Sequence, residues 1–186
     1  MEWMPTLKLV WCGGWLPLIL SSIIQWGLLF AMPKEVFSRL FDRKGWSKKQ
    51  RVYFRLGKAV GLVCLLLVAL TPLKKQSPFF FVGIILYILG LMGLIIATLT
   101  YRDTPLDQPV MKGLYRISRH PQIVATTTIF LGICLAIGSW IALLLLTIAK
   151  ILEHNGILAE EEVCLKEYGE VYKEYLEKVP RYFLFF

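Results

Sequence analysis

Apolar residues run through this chain in long uncharged blocks separated by short polar ones. Residues 10–32 carry no charge over 23 positions, and residues 79–100 none over 22. Each block exceeds the ~20 residues that a helix needs to cross a bilayer. Residues 57–73 form a shorter block with Lys58 near one end, where a long stem can carry its charge to the headgroups. A fourth block, residues 123–149, is again uncharged. Continued to residue 152 as one helix it spans about 45 Å, half as much again as the ~30 Å hydrocarbon core. Two readings follow. Either one tilted helix crosses, or a hairpin turns at Gly138-Ser139, with arms reaching back to Pro121 and on to about Cys164. Glycine and serine are turn chemistry. The two readings put the C-terminus on opposite sides of the membrane.

Between the blocks the pattern changes period. In "PKEVFSRLFDRK", Val36, Phe37, Leu40 and Phe41 share one face while Arg39, Arg43 and Lys44 lie elsewhere, as in an interfacial amphipathic helix that Gly45 ends. Ser47 with Gln50 predicts a capping box that starts a helix running into the second span. Gly57 and Gly61 form a G-x-x-x-G, read as close helix packing. "KKQSP" is a tight turn, and residues 101–120, with Pro105, Pro109 and Gly113, form a polar connector. Leu165, Tyr168, Tyr172, Tyr175, Leu176 and Val179 recur at near-helical spacing, which predicts an amphipathic helix over residues 160–179, bent or interrupted at Gly169. The tail "PRYFLFF" reads as an interfacial aromatic anchor.

Composition adds direction to this outline. With 56% apolar residues and a mean hydropathy of +0.60 over 186 residues, an ordinary soluble domain is excluded. Residues 33–56 hold eight basic side chains against two acidic ones, a net of +6. The positive-inside rule makes that loop cytoplasmic and the N-terminus external. Such a loop between spans meets anionic lipid rather than nucleic acid. The first block is read as a retained helix, because Glu2 balances Lys8 ahead of it and no small-residue cleavage site follows. Cys12, Cys64, Cys134 and Cys164 show no C-x-x-C pairing and read as small hydrophobes; no metal site is expected. The expected fold is all-α: a polytopic membrane protein of about five transmembrane segments, including a C-terminal helical hairpin, plus a cytoplasmic amphipathic C-terminal helix. It forms a single domain over residues 1–186, with three N-terminal spans in 1–100 and the hairpin and last helix in 101–186.

Candidate chemistry gathers around the hairpin. Arg119-His120-Pro121 sits at the mouth of the fourth apolar block. Proline suits a first helical turn and pushes the residue before it out of helical geometry. That puts His120 at a helix N-terminus, where amides and the dipole attract an anion, and Arg119 adds a planar fork for a carboxylate or phosphate. Glu161 follows His120 by 41 residues within the triplet of residues 160–162. Three acids in a row suit a solvated helix start; directly after an apolar segment they also suit the hydroxyl or amino groups of a polar ligand.

In this order the pieces resemble the isoprenylcysteine carboxyl methyltransferase and phospholipid methyltransferase superfamily of integral membrane enzymes. They are Gly113-x-Tyr115, Arg119-His120-Pro121, Gly132, Glu161-Glu162, Leu165 and Tyr168-Gly169-x-x-Tyr172-x-x-Tyr175, and they cover residues 113–181. The resemblance implies methyl transfer from S-adenosylmethionine to an acceptor that arrives through the bilayer. It also favours the hairpin, which alone puts His120 and Glu161 on the same, cytoplasmic, side. By resemblance Arg119, His120 and Glu161 are the catalytic candidates. Tyr115, Arg119, His120, Pro121, Glu161 and Glu162 are the cofactor-binding ones: Arg119 and His120 for the cofactor carboxylate, the two glutamates for its ribose or amino group. Two departures stand out. The aromatic that usually follows R-H-P-x is Ile123, and no Lys or Arg lies between Lys150 and Lys166, where prenylcysteine enzymes carry an arginine. The expected acceptor is therefore a lipid or other amphiphile, an amino-phospholipid before a prenylcysteine carboxylate, with no protein partner. The rivals are a sterol-reductase-like oxidoreductase, which needs a longer chain, and a non-enzymatic membrane scaffold, which needs no polar constellation.

Overall fold

Small polar residues set the corners of this protein. The computed structural model describes residues 1–183. Its helices are α1 (Trp15–Phe30), α2 (Lys34–Phe41), α3 (Lys48–Ala69), α4 (Pro78–Arg102), α5 (Pro121–Ile137) and α6 (Trp140–Lys178), with a 3-10 turn at Gly113–Arg116. Ser47 and Gln50 form the expected capping box at the start of α3, Gln50 N donating to Ser47 Oγ at 3.2 Å and Ser47 N to Gln50 Oε1 at 2.8 Å. Ser77 caps α4 with Pro78 in its first turn. Gly138 ends α5 in the left-handed conformation (φ 65°), and Ser139 Oγ then accepts the Ala142 amide at 3.3 Å to start α6. The hairpin is therefore the correct reading, and a single tilted helix over residues 123–152 is excluded.

The arms of that hairpin diverge: α5 lies along α4, and α6 along α3. Small residues make both contacts close, as expected where helices pack without help from water. A Cβ on Gly83 would lie 2.5 Å from the Gly132 carbonyl oxygen, and one on Gly132 would lie equally close to that of Gly83. Gly57 is similarly pressed against Ala149 O and Glu153, whereas Gly61 has ordinary room, at 3.9 Å from Ala149 Cβ. Only the first glycine of the G-x-x-x-G is needed for the approach. Gly83→Val is expected to cost about 1–3 kcal/mol by overpacking, read as a lower unfolding midpoint in detergent. An unchanged midpoint would mean that α4 and α5 do not pack here.

Two expectations need correction. The first apolar block is not one helix. Residues 1–14 run mainly extended along the loops at one end of the bundle, with Gly14 N donating to Thr71 O, Leu73 N to Cys12 O and Glu2 N to Gly138 O. Hydropathy does not distinguish the end of this strap, residues 10–14, from the helix that follows it. Second, the amphipathic segment does not begin as a new helix at residue 160. Helix runs on from the membrane segment through residues 160–168, breaks at Gly169 (φ 56°, ψ −132°) where a bend or interruption was expected, and resumes to Lys178. Among the described residues three helices are long and apolar enough to cross a membrane, α3, α4 and α6; α1 and α5 are apolar but have 16 and 17 residues. As expected, α2 presents an apolar face, and Val36 is buried with Leu29 and Met32. Of the aromatic tail, Leu184, Phe185 and Phe186 lie outside the described residues, whereas Arg181 and Tyr182 turn back towards the bundle.

Candidate active site

The end of the bundle that carries the α5 N-terminus also receives the second half of α6. Pro121 occupies the first turn of α5, and His120 precedes it with φ −125° and ψ 58°, outside helical geometry. No side chain caps α5. His120 N instead donates to Ser118 Oγ at 3.2 Å. Two backbone strands meet here, since Arg119 N donates to Pro180 O at 3.0 Å and Ser118 Oγ to Arg181 O at 2.9 Å. The tyrosine face of α6 closes over the connector. Tyr175 OH donates to Tyr115 O at 2.6 Å, Tyr168 OH to Leu106 O at 3.3 Å, and Tyr172, Tyr175 and Val179 are buried together.

The centre of this arrangement is one buried carboxylate. Glu161 is 7% exposed and Arg119 6%. Glu161 Oε1 accepts from His120 Nε2 at 3.2 Å, which places a proton on that nitrogen. Arg181 forks onto both oxygens, with Nη2 at 2.7 Å from Oε2 and Nε at 3.1 Å from each. Arg119 Nε lies 2.9 Å from Oε1, but its N–H is not aligned on that oxygen, so the contact is ionic and the donor remains unpaired. Arg119 Nη1 is directed to Leu176 O at 2.6 Å. Glu160, about half exposed, holds its Oε2 3.9 Å from His120 Nδ1. Beside the cluster Tyr182 OH meets His154 Nδ1 at 2.8 Å. Burial pushes the Tyr182 phenol up to about 12, so it stays a donor. Burial likewise raises the Tyr115 phenol well above its ordinary value.

Arg119, His120 and Glu161 thus come together from segments 41 residues apart, with Pro121 fixing the helix start and Tyr115 joined through Tyr175. Glu162 stands apart: it is exposed, and its Oε2 accepts from Gln50 Nε2 at 3.2 Å across to α3. Arg181 is the residue that sequence reasoning missed. The positive charge absent before the glutamates is supplied from 20 residues beyond Glu161, where the aromatic tail disguised it. Its only sequence signal is Pro180, which stops a helix from continuing and turns the chain. The donor set suits a ligand with both charges: an uncapped helix N-terminus and the unpaired donor Gln122 Nε2, beside the Arg119 charge, for an anionic group, and Glu160 for a cationic or hydroxyl group.

A search of curated proteins finds no relative that matches the chain. The profile of the phospholipid methyltransferase family does match, over residues 78–171, which runs from the first turn of α4 through both hairpin arms to just past Gly169. His120 and Glu161, adjacent in space, both lie inside the matched region. The chain belongs to the phospholipid methyltransferase family, and is a membrane methyltransferase of the phospholipid type.

Proposed function

We propose that the methyl donor is S-adenosylmethionine and that the acceptor is a membrane amphiphile, an amino-phospholipid in preference to a prenylcysteine carboxylate. The observation that carries this reading is the contact of His120 with Glu161 at the mouth of the hairpin, inside the family match. Bound there, the cofactor supplies a methyl group already activated on a sulfonium, so the protein has chiefly to align and to manage charge. Arg119, with the amides at the start of α5, faces the carboxylate end. Glu161 holds Arg119, His120 and Arg181 in register. Glu160 is the carboxylate left open to an ammonium or to ribose hydroxyls, with Tyr115 and Tyr175 as the apolar wall behind. An amine acceptor must lose a proton before attack. Glu161, faced by three nitrogen donors of which two are arginines, is a weak base, which leaves His120 through Nδ1. The premise that no arginine replaces the one missing before the glutamates is superseded by Arg181. The preference for an amine rests instead on the family and on the engagement of both arginines by Glu161.

We further propose a single domain with five membrane segments, α1 and α5 crossing as short spans beside α3, α4 and α6. The cofactor site is then cytoplasmic, because the basic residues of 33–56 lie at the same end of the bundle. Binding to the detergent-purified protein tests the cofactor directly. His120→Ala is expected to weaken S-adenosylmethionine by roughly 1.5–3 kcal/mol, the loss of one charged hydrogen bond. Lys173→Ala, at an exposed position whose partner among the described residues is Glu170, should bind like the wild type. NADPH binding in place of S-adenosylmethionine would favour the reductase rival.

A further inference from the structure

Beside the candidate active site, three arginines face a pocket without carboxylate partners among the described residues. Arg43 belongs to the loop after α2, and Arg51 and Arg55 stand at i and i+4 on the first turns of α3. With Lys44, Trp46 and Phe54 they line a cavity of about 340 Å³, room for a headgroup but not for a lipid. The one acid at its rim, Asp42, is already engaged, accepting from Lys44 N at 2.8 Å and lying 3.8 Å from Lys44 Nζ. Like charges at i,i+4 oppose the helix that carries them. An anion between them removes that cost.

The aromatic residues organise the arginines rather than neutralise them. Arg43 lies over Phe54 at 4.6 Å and over Trp46 at 5.6 Å. Stacked by its face, a guanidinium keeps its N–H edge free for a bidentate oxyanion. Trp46, 5% exposed, in turn packs edge-on against Phe54, and both press on Gly156 of α6. Gly45 of the same loop lies against Val163. The pocket therefore flanks the stretch of α6, residues 156–163, that bears Glu160 and Glu161. From the pocket an apolar stripe of α3, Val52, Leu56, Val63 and Leu66, continues along the helix, 46–55% exposed. An anion whose other end is hydrocarbon fits that sequence of surfaces.

We infer that Arg43, Arg51 and Arg55 seat the phosphodiester of the acceptor phospholipid, with its chains along the α3 stripe and its amine, two carbons beyond the phosphate, turned towards His120. This rests on the proposed function and adds the part of the acceptor that is recognised. The test is calorimetric titration of the full-length protein in maltoside micelles with short-chain phosphatidylethanolamine, with the matching diacylglycerol, and with inorganic phosphate. The phosphatidylethanolamine should bind the wild type, and the double variant Arg51→Gln/Arg55→Gln about tenfold or more weakly, as expected when charged hydrogen bonds are lost. Arg51→Lys/Arg55→Lys should recover part of the affinity, and diacylglycerol should bind neither form differently. Equal affinity of wild type and glutamine variant for the phospholipid overturns the inference. So does inorganic phosphate binding as tightly as the lipid, which makes the pocket a free-anion site. S-adenosylmethionine binding is measured alongside on both proteins. Its absence from the wild type with lipid binding intact contradicts the methyltransferase reading and not the pocket. Its retention in the glutamine variant shows that the variant is folded.

Discussion

Glu161→Gln is expected to be among the most damaging single changes in this protein. Amide for carboxylate keeps the shape but removes the one carboxylate, among the described residues, that pairs with Arg119, a side chain just 4% exposed. Removing one partner from a buried ion pair costs about 3–5 kcal/mol, because the remaining charge stays desolvated without compensation. For a chain of this size that lowers the unfolding midpoint by on the order of 10 °C. Cofactor binding should fall with it, since His120 and Arg181 lose their shared acceptor. Relief by a second change separates the mechanism from general damage. Adding Arg119→Met should restore part of the lost stability, because replacing both members of a buried pair is far cheaper than orphaning one. A Glu161→Gln protein as stable as the wild type would show that the carboxylate is not the hub described.

Arg181→Ala should come next. It deletes the fork of three contacts, at 2.7 and 3.1 Å, that ties the chain beyond α6 to Glu161. Charged hydrogen bonds of this kind are worth about 1.5–3 kcal/mol. Glu161 keeps Arg119 and His120, so the fold should survive with a smaller loss than for Glu161→Gln. Arg181→Lys keeps the charge but not the planar fork and should lie between wild type and alanine. Calorimetric unfolding of the three proteins gives the order, and a lysine variant no better than alanine would assign the effect to geometry alone.

The comparison of these two residues shows what the sequence reveals and what it hides. Glu161 was legible because its partner His120 sits beside a proline that fixes a helix start, and because a glycine–serine corner folds the intervening apolar stretch back on itself. Local chemistry offered both features, and the resemblance to the methyltransferase superfamily chose the hairpin over a single tilted helix. Arg181 depends on a return of the chain after α6 that no periodicity encodes, and it stands among aromatic residues with an equally good reason to be at an interface. Likewise residues 10–14, the uncharged end of the strap, are no less apolar than a helix, and only the pairing of the strap with Thr71, Leu73 and Gly138 reveals an extended backbone. Gly156 carries no sequence signal of its role, which is to be the place where Trp46 and Phe54 approach α6. Glu162 was grouped with its neighbour because the pair is one of the pieces that carry the resemblance. On a helix, consecutive side chains point about 100° apart, and Glu162 points to Gln50.

Methyl transfer to lipid tests the central claim most directly. The purified protein is incubated with radiolabelled S-adenosylmethionine and, in separate arms, with phosphatidylethanolamine vesicles and a prenylcysteine analogue. The account predicts label in the lipid headgroup fraction, abolished by His120→Ala. Label in the prenylcysteine ester and none in lipid would contradict it.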